Sequence, residues 1–151
     1  MTEAIEAPAR WAGRMVWLTA TLVYAAGLGW TVFGAGGWFL NRLTVRVYVF
    51  FLYTVPLAPA WVRPEHYGIL LNVALFLPLG LLLAGTLRTP WWLAAIAGFA
   101  LSGVVEAIQL ATASGRAAEW RDVVANACGA ALGALTASWL RSRRERPPGP
   151  E

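Results

Sequence analysis

Charge is missing from this chain in blocks of membrane length. No charged residue lies between Arg14 and Arg42, and Met15 to Phe33 forms one continuous apolar segment. Tyr67 to Leu87 is uncharged for 21 residues, Trp91 to Ala113 carries only Glu106, and Val123 to Leu140 is uncharged for 18 residues. A helix needs roughly 20 apolar residues, at about 1.5 Å each, to cross a bilayer core. Four blocks meet that length, so lipid rather than water is the solvent the chain is built for. Its 58% hydrophobic and 13% charged residues agree, because a soluble domain of 151 residues carries nearly twice that charge. The expected fold class is therefore an all-α membrane protein, a bundle of four transmembrane helices over about 15–33, 67–87, 91–113 and 123–140. Arg10 and Arg14 precede the first span in the manner of a secretory signal. That span is too long for a signal's apolar core and no small-residue cleavage site follows, so it reads as a retained anchor.

Val47 to Val62 is apolar for 16 residues but contains Pro56 and Pro59 and is bracketed by Arg46 and Arg63. Its aromatic residues (Tyr48, Phe50, Phe51, Tyr53, Trp61) suit an interfacial or re-entrant segment between the first and second spans, with a fifth span as the alternative. Residues 1–14 form an N-terminal segment, 15–140 the transmembrane domain, and 141–151 a basic, proline-rich tail of disordered composition. With four spans, both termini and the turn Arg88-Thr89-Pro90 share one side, which holds seven of the 12 arginines. The positive-inside rule assigns that side to the cytoplasm of a cell membrane, and the opposite end faces outward.

The outward end carries a polar island from Gly115 to Ala127, in which Arg116, Glu119, Arg121, Asp122 and Asn126 are charged or strongly hydrogen-bonding. Polar groups beside lipid are costly, so such a concentration marks a functional site by default. Small residues let apolar helices approach closely, and two stripes occur at four-residue spacing: Ala125, Gly129, Gly133 and Ala137, and Ala94, Gly98 and Ser102. The second stripe leads to Glu106, with Gln109 on the same face. Glu106, Gln109, Asp122 and Asn126 are thus expected to point into the bundle, with Asn72 at a similar depth. Pro78 removes a helical hydrogen bond in the second long span and opens room for a groove below these groups.

Three of these pieces, in order, resemble the VanZ-like membrane proteins. Asn72 to Gly80 resembles that family's Asn-x-x-x-Phe-x-Pro-x-Gly element, and Ser102 to Gln109 its Ser-x-x-x-Glu-x-x-Gln element. Gly115-Arg116, then Asp122, Asn126, Gly129 and Gly133, are similar to its third element. The resemblance covers about residues 67 to 140. It implies a small multipass bacterial membrane protein, in a family named for a member linked to teicoplanin resistance, and it supplies no reaction.

The candidate ligand-binding residues are accordingly Asn72, Glu106, Gln109, Arg116, Asp122 and Asn126. Glu106 has two readings, a neutral acid that fixes helix packing through Gln109 or Asn126, and a headgroup or proton site. Asp122 either N-caps its helix or pairs with Arg116 or Arg121. Arg116 offers a planar fork suited to phosphate. Cys128, alone among Ala and Gly, is expected to be a packed thiol, and His66 a surface histidine. Three functions follow: a non-enzymatic binder of an anionic lipid or cell-envelope precursor headgroup, a packing or assembly subunit, and an acid/base membrane enzyme using Glu106 and Asp122. No Ser/His pair or thiolate arrangement supports a covalent nucleophile. No cofactor, metal or nucleic acid is expected; membrane lipids are the expected partners, with a homo-oligomer or a protein partner as further options.

Overall fold

A computed structural model describes residues 3–33, 36–54, 62–111 and 119–145, the side chains of 3–14, 32–33, 36–41 and 109 lying outside that description. Every element in it is helical: α1 Glu3–Phe33, α2 Gly36–Val49 with a π-helical turn Phe50–Thr54, α3 Pro64–Leu87, α4 Trp91–Ala111 and α5 Trp120–Arg144. No strand occurs among the described residues. Apolar surroundings demand this, because only a helix or a closed barrel satisfies its own backbone N–H and C=O groups in lipid. Helices α3, α4 and α5 are long and apolar enough to cross a membrane, and α1 contributes the apolar stretch Met15–Thr31. Helix α5 runs past the expected span through Arg141, Arg143 and Arg144; residues 146–151 of the tail lie outside the described residues.

Local chemistry sets the ends of α3. Pro64 opens it at a position where a missing N–H costs nothing. The Arg63 backbone N–H donates to His66 Nδ1 at 2.9 Å, so His66 fixes the helix start as well as meeting solvent. At the other end Arg88 adopts the left-handed conformation (φ 54°) and its N–H returns to the Leu83 carbonyl. Pro90 then accepts the N–H groups of Leu93 and Ala94, starting α4 within three residues. That turn makes α3 and α4 antiparallel. Helix α3 continues unbroken through Pro78.

Helix α5 lies between α3 and α4. A methyl added at Gly129 would sit 2.2 Å from the Val73 carbonyl oxygen, and one at Gly133 2.1 Å from that of Leu77. From the other helix, a methyl at Gly80 would meet the Ala130 carbonyl at 1.9 Å. Backbone therefore rests on backbone, and no larger residue fits. The pairing of 73 with 129 and 77 with 133 makes α3 and α5 parallel. Against α4, Gly98 faces Asn126, Ala127 and Ala130, so α4 runs antiparallel to α5. Both small-residue stripes read from the sequence are in these contacts. A third, Asn126-Ala130-Ala134, buries itself toward α4 and was hidden in the Ala-rich run.

Helix α1 packs antiparallel to α3, with the Trp17 indole over Gly85, whose hydrogen side chain makes room for the ring. Helix α2 meets the N-terminal end of α3, where Tyr48 packs edge-on to Tyr67 and Phe51 stacks on Tyr67 at 5.8 Å. Thr44 touches Gly68 of the same α3 turn. Eight residues of α2 and its turn, Thr44 to Phe51, thus pass one turn of α3, a steep crossing compatible with the interfacial reading. Helix α2 also carries Arg42 and Arg46 within its length, whereas the apolar spans contain no arginine. Residues 55–61, the rest of that apolar segment, lie outside the described residues.

The outer faces present large apolar side chains, among them Met15, Leu22, Ile96, Phe99 and Leu132. In lipid that exposure is the stable arrangement. Cys128 departs from the sequence expectation: it is exposed, on the α5 face shared by Val124, Leu132 and Trp139. The small-residue seams use the other two faces of α5, which leaves the thiol toward lipid.

Candidate functional site

One end of the bundle gathers the N-termini of α3 and α5 and the C-terminus of α4. There a cleft of about 230 Å³ opens between α2, α3 and α5. Asn72, Asp122, Glu119, Arg121 and Glu65 supply its polar wall, and Thr44 closes it from α2. Glu119 occupies the N-cap position of α5, with extended backbone (φ −115°, ψ 114°). Asp122 is therefore not the cap that the sequence suggested. It sits three residues on, in the first turn, where its carboxylate lies beside the positive end of the helix dipole. The displacement follows from helix α5 starting at Trp120, one turn before the uncharged run begins. Arg116 lies outside the described residues, as do 112–118 generally.

Asn126 belongs to a different place. It is 7% exposed, faces α4, and donates from Nδ2 to Ser102 Oγ at 2.8 Å. Ser102 is itself fully buried. The partner of Asn126 is thus Ser102 rather than Glu106, and Asn126 Oδ1 is buried with no hydrogen bond among the described residues. Interhelical bonds of this type contribute about 0.6–2 kcal/mol in a membrane. Glu106 lies one turn beyond Ser102, half-buried, with its Oε2 fully enclosed. Because α4 and α5 are antiparallel, that turn brings Glu106 to the level of Asp122. The side chain of Gln109 lies outside the described residues. The sequence grouped Glu106, Gln109, Asp122 and Asn126 on one inward face. Asn72 and Asp122 line the cleft between α3 and α5, and Asn126 with Ser102 bridges α5 to α4.

A second hollow lies along the same face of α3. Gly68 and Asn72 in the cleft are followed at helical spacing by Phe76, then by Leu79, Leu83 and Thr86. Phe76, between these positions along the helix, is fully buried. Below it, α1, α3 and α4 enclose an apolar cavity of about 580 Å³, walled by Tyr24, Leu28, Leu79, Leu83, Leu101 and Val105. Thr21 and Thr86 also line it, but their hydroxyls donate to the Trp17 and Leu82 carbonyls of their own helices. Apart from the Tyr24 hydroxyl, buried without a hydrogen bond among the described residues, the wall is almost entirely hydrocarbon. No group of three or more metal-ligating side chains exists among the described residues.

Fold and site together define a small multipass helical membrane protein with a polar cleft at one end and an apolar cavity beneath it. The chain belongs to the VanZ/LLP1 family, whose sequence model matches residues 15–141. No curated protein and no solved structure matches it.

Proposed function

We propose that the protein binds a lipid-linked envelope component or related membrane lipid along the outward-facing end of α3, without chemical turnover. One observation carries this reading: a single face of α3 presents Asn72 to the polar cleft and Leu79 and Leu83 to the apolar space below it. That sequence of surfaces is the mirror of an amphiphile. Arg121 offers a guanidinium to a phosphate, while Glu65, Glu119, Asp122 and Asn72 accept donors. Three carboxylates beside one guanidinium disfavour a headgroup made only of anionic oxygens. They favour one that couples phosphate to hydroxyl or amine groups, as a lipid-linked wall precursor does. In this reading the cleft faces outward from a bacterial plasma membrane and both termini are cytoplasmic, which the excess of arginines at the other end supports. Holding a precursor there would change a glycopeptide's access to its target, which is how a family link to teicoplanin resistance would arise.

The packing reading is favoured at one place only, the Asn126–Ser102 bridge, whose geometry is that of interhelical glue. Native mass spectra of detergent-purified protein test the main reading. One headgroup class retained by the wild type and lost in Asp122→Asn and Arg121→Gln is expected. An unchanged set of retained lipids in both variants would refute it.

A further inference from the structure

The opposite end of the bundle carries no part of the cleft, and it is built differently. The C-termini of the parallel helices α3 and α5 come together there, and with them Arg88, Arg141, Arg143 and Arg144, with Glu145 closing α5. Arg141 Nη1 donates to the Ala84 carbonyl at 3.0 Å, one of the last four carbonyls of α3. That bond uses one of the five N–H donors of the guanidinium and anchors it between the helices. Arg143 lies over the Trp139 ring of its own helix, 4.1 Å from the centroid. Arg88 projects from the left-handed turn, exposed, four residues past Ala84.

Beside these cations the α1–α3 seam opens again. Trp17, Leu18, Thr21, Gly85 and Thr86 line a hollow of about 530 Å³ next to the end of α3. Gly85 and Thr86 precede Arg88 by three and two residues, so cationic rim and apolar hollow adjoin on one helix end. Capping two helix dipoles explains one or two arginines. The positive-inside bias adds to their number, but neither explains a guanidinium anchored between two helix ends beside an open apolar hollow.

We infer that this end is a binding site for one anionic phospholipid of the adjoining leaflet. Its phosphate is held by Arg88 and Arg141, and an acyl chain lies in the Trp17–Thr86 hollow. Charge complementarity selects the occupant: basic pockets between helices take anionic headgroups, each cation adding roughly a fivefold preference. The inference uses a headgroup site separate from the polar cleft and no residue of that cleft, although its hollow shares Thr21 and Thr86 with the apolar cavity below the cleft.

The test uses the full-length protein in mixed micelles with equal amounts of phosphatidylglycerol and phosphatidylcholine, read by native mass spectrometry. One retained phosphatidylglycerol per chain is expected, with selectivity falling roughly fivefold in Arg88→Gln and more in Arg88→Gln/Arg141→Gln. Arg46→Gln at the cleft end should leave selectivity as in the wild type. If the double variant fails to stay monodisperse, Arg88→Gln alone, which breaks no hydrogen bond to α3, decides the matter. Equal retention of the two lipids by the wild type overturns the inference. So does a graded series of bound phosphatidylglycerols that Arg88→Gln leaves unchanged.

Discussion

Helix α3 is packed on two sides in two different ways. Toward α5 it offers Val73, Leu77 and Gly80, and backbone touches backbone with no room for a methyl group. Toward α1 and α2 it offers Gly68, Asn72, Leu79 and Leu83, and large side chains leave hollows of about 230 and 580 Å³. Lipid explains why both can exist in one molecule. Hydrocarbon is as apolar as leucine, so it supplies no hydrophobic drive between helices, and tight association needs close van der Waals contact and hydrogen bonds. The α3–α4–α5 unit has those. The α1–α2 layer meets α3 through larger side chains, Trp17 on Gly85 and Tyr48 and Phe51 on Tyr67, and its looser fit leaves the hollows.

The largest effect should come from breaking the tight side. Gly129→Leu or Gly133→Leu forces a side chain into a carbonyl about 2 Å away. Overpacking of this kind costs about 1–3 kcal/mol or more, and loss of the monodisperse species on heating in detergent is the readout. Gly27→Leu and Gly103→Leu, whose added atoms meet nothing within 4 Å, should behave as the wild type. Equal damage at all four positions would erase the contrast.

Next in size is the polar bridge within the tight unit. Asn126→Leu should lower stability by about 1 kcal/mol in a detergent unfolding titration, with Ser102→Ala costing at least as much because it leaves the buried Asn126 amide without a partner among the described residues. Asn72→Leu should leave stability nearly unchanged while reducing lipid retention, since it lines a cleft and bridges no helices. Filling the loose side sharpens the comparison further: Ala25→Trp places an indole in the cavity, and thermal stability should hold or rise while retained lipid falls. The smallest effect is expected for Arg143→Ala, about 0.5 kcal/mol, because its partner ring is exposed at 52%.

The tight unit was largely legible in the sequence because glycine and alanine at four-residue spacing have one meaning in an apolar helix. Ala94, Gly98, Ser102, Gly129 and Gly133 are buried as that spacing requires. The loose layer was less legible. Nothing in the order of residues tells which α3 face an aromatic-rich segment will cover, and Gly68 beneath Thr44 gives only a weak signal. Among site residues, spacing placed Asn126 and Asp122 four apart and so on neighbouring turns. It did not show that α5 is a middle helix, whose successive turns serve different partners. Ser102 was read as a packing position, and its hydroxyl is the one that Asn126 reaches. Cys128 looked packed because its neighbours in sequence are small, yet those neighbours consume the two seams and leave the third face to lipid.

The account stands on the loose face of α3 being a binding surface, and photo-crosslinking measures that directly. A phospholipid bearing a diazirine in its acyl chain is incorporated with the purified protein, irradiated, and the adducts are located by peptide mass spectrometry. The prediction is adducts concentrated on Thr21 to Gly29 and Leu79 to Leu87, falling severalfold in Ala25→Trp. Adducts spread evenly over the lipid-facing Val124, Cys128 and Leu132 stripe, with no enrichment on the α1–α3 wall, would contradict it.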